Sequence, residues 1–179
     1  KEKEQYEALL DAGTNWYEAK VHSGTINDSN KTIALVKKAV QNFKNSVTKD
    51  EFESYDSDHN GFIDCVSLIY GVAHNTSSLG NENLWAYTYW VQEENLTDSP
   101  IANTFMWASY DFMYQDNRHC KIDAHTYIHE FGHALGFEDY YDYNTKSGYQ
   151  AAGYFSMQDY NIGMHDPYSL LQLNWTKTY

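Results

Sequence analysis

Cysteine is scarce in this chain of 179 residues, which holds only Cys65 and Cys120. At most one disulfide can form. Spacing alone does not set the distance between the two sulfurs, so one bridge and two free buried thiols stand as equal readings. No apolar run reaches the roughly eighteen residues that a membrane-spanning helix needs, which excludes a helical span. Basic residues are few as well: 12 Lys and Arg stand against 25 Asp and Glu, for a net charge of −13. That balance argues against nucleic acid or an anionic membrane as a partner. Most of the carboxylates serve solubility, and a minority are left for cation binding. No internal repeat and no low-complexity linker interrupts the chain. Its length suits one domain with a real core, so 1–179 is expected as a single domain. No signal peptide is visible, and the charged start Lys1-Glu2-Lys3-Glu4 reads as a mature terminus or the edge of an excised piece.

Aromatic residues are abundant at 17%, with 17 tyrosines and 5 tryptophans. Tyrosine buries a large ring while keeping a wet hydroxyl, which suits secreted enzymes and binding surfaces alike. The most informative stretch is His129-Glu130-Phe131-Gly132-His133-Ala134-Leu135-Gly136-Phe137-Glu138-Asp139. It contains H-E-x-x-H, extended to H-E-x-x-H-x-x-G-x-x-D. Residues four apart lie on one face of a helix, so the imidazoles of His129 and His133 can bind one metal ion. Glu130 projects beside that pair, within reach of a water at the metal. Gly136 lets the helix stop, because glycine enters the left-handed region without a Cβ penalty. The turn then returns a carboxylate as third ligand. Asp139 is favoured by register, and Glu138 is the alternative. Three protein ligands plus water is the catalytic arrangement for zinc, whereas four close a structural site. Tyr127, Ile128, Phe131, Ala134 and Leu135 supply apolar surface around the histidines, and Asp123 is expected as the N-cap. His125 lies one turn earlier on the same face. It reads as support for the site or as a core histidine, because a straight helix cannot wrap three successive turns around one ion. His119 and His22 carry no spacing argument.

A second constellation is Asp56-Ser57-Asp58-His59-Asn60-Gly61-Phe62-Ile63-Asp64, which follows the D-x-D-x-[DN]-G-x-x-D opening of a calcium loop. Side-chain oxygens of Asp56, Asp58, Asn60 and Asp64 with the carbonyl of Phe62 form a hard donor set that suits calcium. Position twelve is Ser67 rather than a bidentate glutamate, and a strand is expected next, so this is no EF-hand. An Asx-rich turn without metal is the competing reading.

Periodicity places a short helix and loop over 3–20, a turn over 24–30, and a helix over 32–43 carrying Ile33, Val36, Ala39, Val40 and Phe43. Strands are expected over 65–73, 84–91 and 104–114, the last with alternating faces. The motif helix should run over 124–135, and 137–164 should be irregular. A final helix should start at Asp166-Pro167 and carry Leu170, Leu171 and Leu173.

With these residues together, the chain resembles the catalytic domain of the immune inhibitor A family of metallopeptidases, zincins related to the metzincins. The resemblance covers roughly 31–179. It rests on the helix ahead of the acidic loop, the loop Asp56–Asp64 running into a strand, and the motif ending in Asp139. It also rests on Gly153-Tyr154-Phe155-Ser156-Met157, Asn161-Ile162-Gly163, His165-Asp166-Pro167-Tyr168 and Leu170-Leu171-Gln172-Leu173-Asn174-Trp175. It implies an α/β (α+β), metzincin-like fold: a twisted mixed sheet with a backing helix and an active-site helix, an irregular methionine-turn subdomain and a C-terminal helix. The subdivisions would be an unmatched segment 1–30, an upper subdomain 31–136 and a lower subdomain 137–179. It further implies a secreted bacterial endopeptidase acting on protein or peptide substrates, with zinc on His129, His133 and an aspartate, often with structural calcium; a monomer is expected. Met157 would form the methionine turn beneath the metal. The better-known metzincins end the motif with histidine where this chain has Asp139. The tyrosine they place two residues after the methionine stands here at Tyr160, three residues after Met157.

Glu130 is expected to take a proton from the attacking water and deliver it to the leaving amine. Tyr160 and His165 are candidates to steady the oxyanion or, alternatively, structural hydrogen-bonders. The competing function is a calcium-stabilised module that binds carbohydrate or protein through its aromatic residues, on an inactive peptidase-like fold.

Overall fold

Ile33, Val36, Val40 and Phe43 recur at helical spacing with Lys37, Lys38 and Lys44 among them, and this amphipathic run forms α1 (Ser29–Ser46). In the computed structural model the described residues are 29–70, 74–76, 82–83, 85–114, 121–143, 152–160 and 163–177. The helix and loop expected over 3–20, the turn residues 24–28, His22, His119, Cys120 and the end of the first expected strand lie outside them. The described chain is mixed α/β with small mixed sheets, and it divides into two compact units, one ending at Asp111 and the other beginning at Phe112.

In the first unit α1 is followed by α2 (Lys49–Glu53), capped by Thr48, whose Oγ1 accepts the Glu51 N–H at 3.2 Å. The acidic loop then leads into β1 (Phe62–Ile63) and β2 (Val66–Tyr70). Next come β3 (Asn75–Thr76), β4 (Glu82–Asn83), β5 (Tyr87–Trp90), β6 (Ile101–Ala102) and β7 (Thr104–Ser109). β7 is the centre of a three-stranded sheet, parallel to β2 with Val66 opposite Phe105, and antiparallel to β5 with Tyr87 opposite Trp107. β1 pairs in parallel with β6, and β3 with β4 in antiparallel. Leu35 and Val36 of α1 bury against Val91, Ala102, Phe105 and Trp107, with Ile33, Val40, Val66, Leu68 and Tyr87 packed around them. Burying each large apolar side chain contributes about 1.5–3 kcal/mol, so this helix-on-sheet contact organises the unit. The cross-strand pair Tyr87 and Trp107 stacks with ring centroids 6.0 Å apart.

Two strand expectations are corrected. The third strand stops at Ser109, and Tyr110–Met113 winds into a 3-10 turn. Its residues do not alternate in exposure, because the central strand buries Phe105 through Ser109 on both faces. β2 is less buried than its apolar run suggests, since it lies at the sheet edge and exposes Ile69. Cys65 forms no disulfide among the described residues, and burial pushes its thiol pKa up.

The second unit contains α3 (His125–Ala134), α4 (Met157–Tyr160) and α5 (Pro167–Gln172). α4 is a short helix inside the stretch expected to be irregular. α5 starts as read: Asp166 is the N-cap, its Oδ1 accepting the Ser169 N–H at 3.0 Å, and Pro167 follows at the first position.

Candidate metal centre

α3 starts because Asp123 Oδ1 accepts the His125 N–H at 2.9 Å, although the cap position itself falls on Ala124. It ends in a Schellman motif: Phe137 N–H bonds Gly132 O at 3.0 Å and Gly136 N–H bonds His133 O at 2.9 Å. That motif needs a left-handed residue, and Gly136 supplies it at φ +100°. The reversed chain is then pinned by Tyr140 N–H to Gln158 O at 2.8 Å. Asp139 is thereby returned to the histidine face of α3.

His129 Nε2 and His133 Nε2 lie 3.1 Å apart, and Asp139 Oδ1 lies 3.0 Å from the first and 3.2 Å from the second. Each imidazole has its Nδ1 against a backbone carbonyl: His129 against Met157 O at 2.9 Å, His133 against Phe137 O at 2.8 Å. A carbonyl only accepts, so both Nδ1 atoms donate and both Nε2 lone pairs face inward. Asp139 Oδ1 is itself buried, with both Nε2 atoms beside it. Three atoms able to ligate a metal are therefore gathered at one place. Tetrahedral zinc with bonds of about 2.0–2.1 Å separates neighbouring ligand atoms by about 3.3–3.4 Å, close to the sides of this triangle. Two imidazoles and one carboxylate suit a transition-metal ion such as zinc rather than calcium. The residues fit the metal that the motif implies.

The electrostatics reflect the closeness of the three groups to one another. Burial disfavours charged imidazoles, but bonds to Asp139 and to the carbonyls more than offset it, so both histidines stand above the ordinary value. Burial works against the Asp139 carboxylate too, yet bonds from His129, His133, Tyr143 and Tyr141 hold it well below the usual range. Glu130 is 6% exposed, and its charge acts on both imidazoles. Glu138 is exposed and lies outside the cluster.

Sequence reasoning missed Tyr141, Tyr143 and Gln158. Tyr143 OH donates to Asp139 Oδ2, and this bond pushes its pKa up to about 12, so it remains a donor at neutral pH. Tyr141 stacks on the His129 ring at 6.3 Å and 17°, and burial followed by its bond to Asp139 raises its pKa as well. The cue was the Tyr140-Tyr141-Asp142-Tyr143 run directly after Asp139. Gln158 is fully buried on α4, and a Cβ at Gly132 would meet its Oε1 at 2.3 Å and His165 Cε1 at 3.0 Å. Gly132 thus allows the α4 segment to lie against α3. Gly132→Ala is expected to cost about 1–3 kcal/mol as overpacking. Urea unfolding should show a lower midpoint at unchanged slope, and an unchanged midpoint would contradict the packing.

The other candidates are placed elsewhere. Tyr160 is 61% exposed, its ring edge-on to Tyr154 at 5.0 Å, and among the described residues no hydrogen bond joins it to the three ligand side chains. His165 is buried against Phe137 at 4.6 Å, its Nδ1 without a partner among the described residues. Burial holds it below the ordinary imidazole pKa, and the neighbouring His129 adds to that. Met157 is buried beneath His129 and meets it through its backbone carbonyl. His125 pairs with Asp123 at 2.6 Å.

In the first unit the acidic loop folds on itself. Asp56 accepts the N–H groups of Asn60 and Gly61 at 3.0 Å each, and Asp64 accepts that of Ser57 at 3.2 Å. Asn60 turns its Oδ1 to the Phe62 N–H at 2.8 Å, and Phe62 enters β1. Asp56, Asp58 and Asp64 each bring one oxygen within 4.8 Å of the others. Gly61 takes φ +91° to close the turn.

No protein-family model, no curated protein and no solved structure matches the chain.

Proposed function

We propose that the chain is a zinc-dependent endopeptidase, with His129, His133 and Asp139 as metal ligands and Glu130 as general base. The observation that carries this reading is the meeting of His129 Nε2, His133 Nε2 and Asp139 Oδ1 within 3.2 Å of one another, beside a buried glutamate. The metzincin-like fold, the likeness to immune inhibitor A peptidases and secretion from a bacterium belong to the same proposal. So does a monomer acting on proteins or peptides.

When bound, zinc polarises a peptide carbonyl and brings the pKa of a water to about 7. Glu130 accepts the proton of the attacking water and returns it to the leaving amine, a task that needs a carboxylate next to the ligands. The Nδ1 bonds to Met157 O and Phe137 O fix both imidazole rings and their tautomers. Purified protein is expected to cleave fluorescein-labelled casein and to lose that cleavage with 1,10-phenanthroline. Cleavage insensitive to chelation would reject the metal, and no cleavage by zinc-loaded protein would reject the peptidase.

The rival reading, a binding module for glycan or protein, has exposed Trp85, Tyr89 and Trp90 in its favour. It leaves the buried donor set without a use, and binding without cleavage would be its signature.

Calcium at Asp56, Asp58, Asn60, Phe62 and Asp64 completes the proposal, as a structural ion. A ligand that binds only the folded state stabilises it by about 2.7 kcal/mol at a hundredfold excess over its Kd. For a chain of this size that is about 5–10 °C in Tm. Melting of calcium-free protein with and without millimolar calcium, at constant zinc, should show the rise, and Asp58→Ala should remove it. Superimposable curves for the parent would leave the loop a plain Asx turn.

A further inference from the structure

Asp139 uses its two oxygens differently. Oδ1 faces His129 Nε2 and His133 Nε2, whereas Oδ2 accepts the Tyr143 hydroxyl. The Tyr141 hydroxyl also interacts with the same carboxylate. The two rings brace each other edge-on, with centroids 5.1 Å apart at 68°, and Tyr141 also stacks on His129. One tyrosine thus touches a ligand histidine and the ligand carboxylate together.

A carboxylate can ligate through one oxygen or through both. A hydroxyl donating to the distal oxygen occupies a lone pair there and holds the carboxylate plane. We propose that Tyr143 and Tyr141 are positioning residues that hold Asp139 as a one-oxygen ligand, keeping the remaining coordination position open for water and substrate. This rests on the zinc reading above. Without the hydroxyls, Oδ2 is free to swing onto the metal, which raises the coordination number and fills the open position. Neither residue touches the reacting atoms in this role.

Tyr143 is 75% exposed and Tyr141 half-buried, so phenylalanine at each removes the hydroxyl while keeping the ring contacts. The test compares the parent, Tyr143→Phe, Tyr141→Phe and the double variant. Zinc affinity is read by competition with a chromophoric chelator, and coordination number from the visible absorption of the cobalt(II) forms. The account expects about tenfold weaker zinc binding in Tyr143→Phe and up to about a hundredfold in the double variant. The cobalt bands should fall in intensity from four-coordinate toward five-coordinate values, and the metal-free Tm should not change. A double variant within twofold of the parent and with the parent's cobalt spectrum overturns the clamp alone. A parent that binds neither metal overturns the zinc reading and the clamp with it.

Discussion

Glu130→Gln is expected to keep one zinc per chain and to lose peptidase activity by about 10²–10⁴-fold, the usual contribution of a positioned general base. The reasoning is steric first. Glu130 is buried in α3 next to His129, and glutamine has the same shape, so the three ligands should stay where they are. The chemistry differs in one respect: an amide oxygen does not take up the water's proton at neutral pH. The loss should therefore appear in kcat, with KM little changed, because substrate contacts remain. Metal content and kcat must be measured on one preparation. A variant within a few-fold of the parent kcat would remove Glu130 from the mechanism. A variant that also loses zinc would show that its carboxylate holds the imidazoles rather than the water's proton.

The second large effect is on the metal. Asp139→Ala should weaken zinc binding by at least a hundredfold and abolish cleavage, whereas Glu138→Ala should do neither. Asp139 supplies the one anionic donor, with its Oδ1 3.0 and 3.2 Å from the two Nε2 atoms. Its removal leaves two neutral imidazoles, one short of the three protein ligands of catalytic zinc. Glu138 is exposed and stands outside the cluster. Equilibrium dialysis against buffered zinc measures both variants. Near-parent binding by Asp139→Ala, together with a loss in Glu138→Ala, would transfer the third ligand to the neighbouring residue.

The parts that were legible in the sequence are those set by local chemistry. The motif helix was read over 124–135 and spans His125–Ala134, because its apolar face, its acidic start and Gly136 all act within a turn or two. Asp166-Pro167 opened α5 for the same reason. Helical spacing put His129 beside His133, and register favoured Asp139 over Glu138 as the carboxylate that meets them, as it does here. The strands were harder. Whether β7 buries one face or two depends on what pairs with and covers it, and its turn at Tyr110 on contacts distant in sequence. The tyrosines were harder still. Tyr160 drew attention through its distance from Met157, yet it is exposed, while Tyr143 reaches Asp139 and Tyr141 reaches the His129 ring through a local loop. With 17 tyrosines in the chain, composition gives no means of choosing among them.

The most direct measurement is a zinc titration of metal-free protein, with cleavage of a quenched fluorescent peptide recorded at each addition. With one catalytic zinc per chain, activity rises linearly and stops at one equivalent, and Asp139→Ala shows no rise. Full cleavage by the metal-free protein, or one equivalent of zinc bound with no cleavage of any protein substrate, would contradict it.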